Sequence, residues 1–390
     1  MRMRLPTGHR ASKVTAVQAA ALTLLALLLI VARRPDMLLA PQFWGEDAAV
    51  FFPQAEAHGA SVLFIPFAGY LYLLPRLVAW AAVSVPVVHV PTVYAAGALI
   101  IVAAALGLVL QSPLTDSPGM GLAMVLAVAA APYSGEIWGN LVNTHWFSAL
   151  VILAACLPPR TRAAGIGLHV LLPFFVLTGP SALILLPVVA VASAHRTDRW
   201  RWVTLAIVTV GAVLTAWTLV LSPRDHGGET LVARLVTIGH AVLLRYQLQV
   251  FAAAFAAMAW TAWRAWREGL LREFVVSAAA CLFAVAVCVS GPKEALYSLP
   301  AAAGRYIFVP WIAASWLLIH ALFRHGSWQL LLVAAVMAGS AAWQYLQPAR
   351  PDVDWARAAE CLESRPVCQV TVTPYPEPLR LPGRGSGSRR

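Results

Sequence analysis

The chain has 390 residues, of which 60% are hydrophobic and 12% charged, with a net charge of +11. An ordinary soluble protein carries about twice that share of charge. So little polar surface cannot cover a water-soluble globule, which excludes a soluble enzyme, a disordered chain and a cytosolic nucleic-acid binder. The mean hydropathy of +0.73 points instead to an all-α, polytopic membrane bundle, crossed by helices of about 20 apolar residues.

Residues 1–13 form a basic N-terminus with Arg2, Arg4, Arg10 and Lys13. The first span is expected over 14–32. Basic residues before an apolar core also describe a signal peptide, but the only small-residue cleavage site ends at Ala40 and is followed by Pro41, so an uncleaved anchor is expected. A long first exterior loop follows over 33–91. Spans are expected next at 92–111, 120–133 and 147–157. Residues 163–194 are too long for one span and short for two. Gly179-Pro180, a helix stop and turn signal, divides them into two short legs. Further spans are expected at 202–222, 248–263, 274–290, 308–322 and 328–346. That makes eleven membrane segments in a transmembrane domain over 14–346. An exterior tail covers 347–390, with disorder expected from about residue 382, where Gly, Ser and Arg dominate.

Charge orients this arrangement. Arg160, Arg162, Arg196, Arg199, Arg201, Arg264, Arg267, Arg272 and Arg324 fall in short connectors on the side of the N-terminus. The positive-inside rule makes that side the cytoplasm, with the C-terminus periplasmic or extracellular, and abundant Ala, Leu, Val, Arg and Trp suggest a GC-rich bacterial gene, so a bacterial plasma membrane is the expected location. Arg33 and Arg34, directly after the first span, argue mildly the other way. Cys156, Cys281 and Cys288 fall in spans and read as packing residues. Cys361 and Cys368 fall in the tail, at a spacing and on a side where a disulfide can form. There is no repeat of fixed period, nucleotide-binding loop, metal-ligand spacing or nucleophile elbow.

Polar groups near a bilayer are costly, so they are the informative ones. The first exterior loop carries Trp44-Gly45-Glu46-Asp47 followed by apolar residues at 48, 51, 52 and 55, the spacing of an interfacial helix with acids at its N-terminal end. The ordinary structural role of such acids is an N-cap. Neighbours on a helix point about 100° apart, so only one of the two reaches a given site. Tyr70 and Arg76 follow among aromatic and apolar residues, where an interfacial tyrosine and a snorkelling arginine are the plain alternative. The next exterior loop is dense in chemistry, with Glu136, Trp138, Asn140, Asn143, His145 and Trp146. His145 is of the residue type that titrates near neutrality. Arg234 and Arg245 lie on one stripe of an amphipathic stretch in the following loop, suited to an anionic headgroup or phosphate, or to a solvated face. Arg305, beside Tyr306 at the mouth of a span, is the first choice among the basic residues for a phosphate ligand.

This ordered set resembles the GT-C type of membrane glycosyltransferase. The residues that carry the resemblance are Trp44-Gly45-Glu46-Asp47, Gly69-Tyr70-Leu71 with Pro75-Arg76, and Glu136-Ile137-Trp138-Gly139-Asn140 with Asn143 and His145-Trp146, then Thr178-Gly179-Pro180 and Gly304-Arg305-Tyr306. The resemblance implies a bundle with interfacial helices in its first exterior loop, and transfer of a hexosyl or pentosyl group from a polyprenyl-phosphate carrier to a glycan, lipid or protein acceptor. It puts Asp47 in the role of general base with Glu46 beside it. Arg305 and Tyr306 would hold the lipid phosphate, with Arg76, Arg245 and Arg234 as further donors. Acceptor hydroxyls would fall to His145 and Asn143, with Glu136, Asn140 and Tyr70 nearby. Some relatives use a divalent metal, Mg or Mn, which here would fall to Glu46 and Asp47. Two alternatives from other classes are a transporter or flippase of lipid-linked sugars, and a non-catalytic partner in envelope assembly. A transporter would show mid-span charges and repeated halves.

Overall fold

The structure, a computed structural model, describes residues 14–132, 134–222, 246–290, 304–343, 345, 351–375 and 377–385. It is mostly helical, and each of the expected membrane stretches is occupied by a helix. In chain order the helices are α1 (Ala16–Arg33), α2 (Asp36–Leu39), α3 (Phe52–His58), α4 (Leu73–Ala81), α5 (Val90–Gln111), α6 (Pro118–Ala129) and α7 (Phe147–Ala155). They continue with α8 (Arg162–Val176), α9 (Ser181–His195), α10 (Trp200–Leu221), α11 (Tyr246–Glu268), α12 (Leu271–Ser290), α13 (Gly304–His325), α14 (Trp328–Trp343) and α15 (Trp355–Ser364). A two-stranded antiparallel sheet, β1 (Val367–Val370) and β2 (Leu379–Pro382), follows in the tail.

Among the described residues, four helical segments are long and apolar enough to cross a membrane: Ala16–Arg33, Val87–Gln111, Trp200–Leu221 and Arg305–His325. Several of the other expected segments are helices too short to span about 30 Å of hydrocarbon unaided. The outward faces of α1, α10 and α14 expose Leu24, Leu28, Val213, Trp217, Leu331 and Val336. Water disfavours such faces and a bilayer accepts them.

The helices pack around α7, whose nine residues are all buried. A helix that is apolar all round belongs in the middle of a bundle. Around it stand α5, α8, α9 and α12, with α1, α6, α10 and α13 completing the ring. Several starts are set by side-chain caps. The Thr15 hydroxyl accepts from Gln18 N while the Gln18 side chain accepts from Thr15 N, and Ser117 and Thr161 cap α6 and α8.

Arg33 explains a charge that the side-counting rule leaves awkward. Its Nη1 donates to the carbonyls of Ala129 and Ala131 and to Ser134 Oγ at 2.8 to 3.0 Å. It thereby satisfies carbonyls at the C-terminal end of α6. Arg34 is bound to Asp36 at 2.8 Å. Both arginines are fasteners of the bundle, which is why their position runs against the expected orientation.

The break at Thr178-Gly179-Pro180 separates α8 from α9 as two helices. Gly179 has φ +89°, a conformation glycine adopts without strain. The first exterior loop is stitched to this break. Gly179 N donates to Leu71 O at 2.9 Å, Leu73 N to Leu177 O at 3.2 Å and Leu74 N to Thr178 Oγ1 at 3.0 Å.

The tail folds back onto the same loop. Cys361 and Cys368 form a disulfide that ties α15 to β1. Trp355 Nε1 donates to Val88 O at 3.1 Å and Val87 N to Glu363 Oε1 at 2.9 Å. Arg384 of the tail also reaches the first loop. Arg384 pairs with Glu56 at 2.5 Å and donates to the carbonyls of Val83 and Val85, each at 2.8 Å.

Candidate functional site

The two acids at 46 and 47 part company. Asp47 starts a π-helical turn, Asp47–Phe51, that leads into α3, and it is buried. Its carboxylate accepts from Leu141 N at 2.9 Å and Val142 N at 3.1 Å. Asp47 therefore fastens the entry to another segment, accepting two backbone amides where the 3₁₀ turn Val142–Trp146, which carries Asn143 and His145, begins. Glu46, half-buried, faces a cleft instead.

The cleft has about 760 Å³ of free space, counting its open mouth. Five segments that are far apart in sequence build it. The first loop supplies Glu46, Phe67, Tyr70 and Tyr72, and the 3₁₀ turn supplies Asn143, His145 and Trp146. Pro180 and Ile184 come from the start of α9, Phe283 and Val287 from α12, and Arg305 and Tyr306 from the first turn of α13. Phe67 and Tyr70 close a tight turn by exchanging backbone hydrogen bonds at 2.8 and 3.0 Å, with Ala68 and Gly69 at positive φ. Tyr72 stands edge-on to His145, with ring centroids 5.5 Å apart. Trp146 meets Tyr306 edge-on at 5.7 Å.

His145 Nδ1 donates to Val142 O at 2.6 Å. In the neutral ring this makes Nε2 the acceptor nitrogen. Gly179 lets this residue in, since a Cβ at 179 would come within 2.8 Å of His145 Cβ. Arg305 Nη1 donates to Glu136 Oε2 at 3.1 Å and lies over the Tyr306 ring at 5.2 Å. Asn143 Nδ2 and Asn140 Nδ2 both donate to Glu136 O, at 2.7 and 2.5 Å. Asn140 thus fastens the loop that carries Glu136 rather than lining the cleft.

The remaining expected site residues do not join. Arg76 is fully buried beneath the first loop, over the Phe51 ring at 5.1 Å, and donates to Gln54 Oε1 at 2.8 Å. It does not line the cleft. Arg234 and Arg245 lie outside the described residues. Glu46 and Asp47 do not converge on one point. Among the described residues no group of three His, Cys, Asp or Glu side chains could hold a metal ion.

Two lining residues and one neighbour of the cleft are not apparent from the sequence. Phe283 and Val287 are ordinary apolar residues of a long helix. Tyr375 comes from the tail: Gly45 N donates to Thr373 O at 2.8 Å, and a Cβ on Gly45 would come within 3.0 Å of the Tyr375 ring. Partial burial and the Glu46 carboxylate push the Tyr375 phenol above its ordinary range, while Arg305 pulls the other way. Tyr375 therefore sits within the field of both charges.

No family model, curated protein or solved structure matches this chain.

Proposed function

We propose that this chain is a membrane glycosyltransferase that moves a sugar from a polyprenyl-phosphate carrier to an acceptor hydroxyl on the side of the first loop and the tail. The observation that carries the reading is the meeting of Glu46, Arg305, His145 and Asn143 on one cleft. A sugar on a lipid phosphate already has a good leaving group. The reaction then needs a base for the acceptor proton and positive charge for the departing phosphate.

Glu46 is the better candidate base, because the carboxylate oxygens of Asp47 hold two backbone amides. In the proposed step Glu46 takes the proton of the acceptor hydroxyl. The hydroxyl oxygen attacks the anomeric carbon from the face opposite the phosphate. The carbon–oxygen bond to phosphate breaks, and the phosphate leaves with the electron pair toward the Arg305 guanidinium. His145 Nε2 and Asn143 orient the acceptor. Asp47 is a positioning residue, acting through the turn whose entry it fastens.

The test is transfer of a radiolabelled sugar from synthetic polyprenyl-phosphate sugars in membranes that contain the chain. Glu46→Gln should remove transfer while leaving the amount of folded protein unchanged. Undiminished transfer by that variant would rule out Glu46 as the base, and no transfer by the unaltered chain from any such donor would sink the whole reading.

A further inference from the structure

A second cavity lies outside the cleft, at the arginine-rich end of the bundle between α11, α13 and α14. It is larger, with about 1820 Å³ of free space counting its open side, beyond the usual range of a small-molecule site. One face of α11 lines it through Ala254, Met258, Thr261, Arg264 and Glu268. From residue 254 to 268 a helix rises about 21 Å. Half of the hydrocarbon layer is about 15 Å. The groove therefore has the length of one leaflet plus a headgroup.

Its two ends differ as a lipid does. Val333 and Met337 of α14 line it with apolar surface, whereas Arg324 and His325 lie at the end of α13, near Glu273 at the start of α12. The polar end holds cations and acids together. Arg264 pairs with Glu268 at 2.6 Å and Arg324 with Glu273 at 3.0 Å.

Two buried acceptors on this wall lack donors. Glu273 Oε1 accepts from Arg324, but Oε2 has no hydrogen-bond partner among the described residues. His320, one turn before Arg324, donates through Nε2 to Leu114 O at 2.6 Å, and its Nδ1 likewise has no partner there. A buried acceptor without a donor is left with an uncompensated loss of hydration. A ligand that repairs both must bring N–H or O–H donors, and the neighbouring arginines favour a phosphate beside them.

We infer that this groove binds one phospholipid with a primary ammonium headgroup, of the phosphatidylethanolamine kind. Its phosphate lies against Arg324 and Arg264, its ammonium donates to Glu273 Oε2 and His320 Nδ1, and its acyl chains run along Met258, Val333 and Met337. The inference rests on the chain being embedded in a membrane, not on sugar transfer.

The experiment is native mass spectrometry of the full chain in mild detergent, mixed with equal amounts of phosphatidylethanolamine, its N,N-dimethyl form, phosphatidylcholine and phosphatidylglycerol with identical acyl chains. The series removes N–H donors while keeping the phosphate. One lipid should bind per chain, with phosphatidylethanolamine favoured over phosphatidylcholine by about tenfold, the worth of one charge-assisted hydrogen bond, and the dimethyl form between them. Glu273→Gln should erase that order. Ala257→Trp, which touches no ion pair, should remove the bound lipid. Equal binding along the methylation series, preference for phosphatidylglycerol, an unchanged order in Glu273→Gln, or full binding by Ala257→Trp would each overturn the assignment. Should Glu273→Gln not fold, the methylation series and Ala257→Trp still decide it. A chain recovered without membranes would overturn the membrane reading and this assignment with it, whereas the lipid outcomes above overturn the assignment alone.

Discussion

Arg305 and Glu136 face each other across 3.1 Å from elements 169 residues apart, and the arginine proposed to receive a phosphate is thus already held by a carboxylate. The pair is partly open to solvent, with side chains 24% and 21% exposed. Such a pair contributes about 0–1 kcal/mol, little enough for a phosphate to replace it. Glu136→Gln is therefore expected to tighten polyprenyl phosphate binding by up to about fivefold. Arg305→Ala should weaken it by more than about tenfold, because a charge-assisted hydrogen bond is lost outright. Binding to the lipid phosphate in detergent micelles measures both. Weaker binding in Glu136→Gln would mean that the carboxylate orients the arginine rather than competes for it.

The neighbours Glu46 and Asp47 should fail in different ways. Glu46→Gln removes a base from the cleft, which typically slows a reaction by about 10²–10⁴-fold, with little change in thermal stability. Asp47→Asn sets an amide donor against two backbone N–H groups that now share one carboxylate. A buried donor left unmade costs about 1–3 kcal/mol, so Asp47→Asn should lower the melting temperature of the purified chain before any question of catalysis arises. Equal stability of the two variants would contradict the fastening role of Asp47.

These two acids also show what the sequence makes legible. Their divergence follows from helical geometry, and the break at Gly179-Pro180 follows from local backbone chemistry, so both are readable from short spacings. The Asp47 partner is not, because Leu141 and Val142 lie more than 90 residues away and no local pattern encodes that pairing. The same holds for Arg33, whose acceptors at 129, 131 and 134 turn an awkward charge into a fastener. It holds again for Tyr375, which reaches Gly45 only because the tail folds back. Arg76 misleads for the opposite reason: an arginine among aromatics reads equally as a ligand or as a buried cation over a ring, and the Phe51 contact makes it the second.

The tail disulfide is expected to hold the wall that carries Tyr375. Cys361 and Cys368 close a short loop, and a bridge over so few residues contributes about 2 kcal/mol. Reduction, or Cys361→Ser, should speed tryptic cleavage at Arg357 while the helical bundle stays intact by circular dichroism. Thiol labelling of the two cysteines should require a reductant. Labelling without one would place them apart in the native protein.

Gly179 sets the distance between the broken helix and His145. Its φ of +89° costs an L-residue about 1–2 kcal/mol, and a Cβ there would lie 2.8 Å from His145 Cβ, tighter than real carbon contacts allow. The histidine cannot yield easily, because its Nδ1 is bonded to Val142 O and its ring packs between Tyr72 and Trp146. Nor can the break move freely, since Ser148 Oγ donates to Thr178 O at 2.9 Å. Gly179→Ala should therefore lose at least about 1 kcal/mol of stability and lose transfer more severely than that loss explains. Gly167→Ala is the control: it lies within α8 with nothing inside 4 Å of its Cβ position, and should be neutral or gain about 0.5–1 kcal/mol. Thermal melts of both variants beside their transfer rates separate a backbone penalty from a displaced His145. If Gly179→Ala retains full transfer, the close approach of this glycine to the histidine has no part in the chemistry.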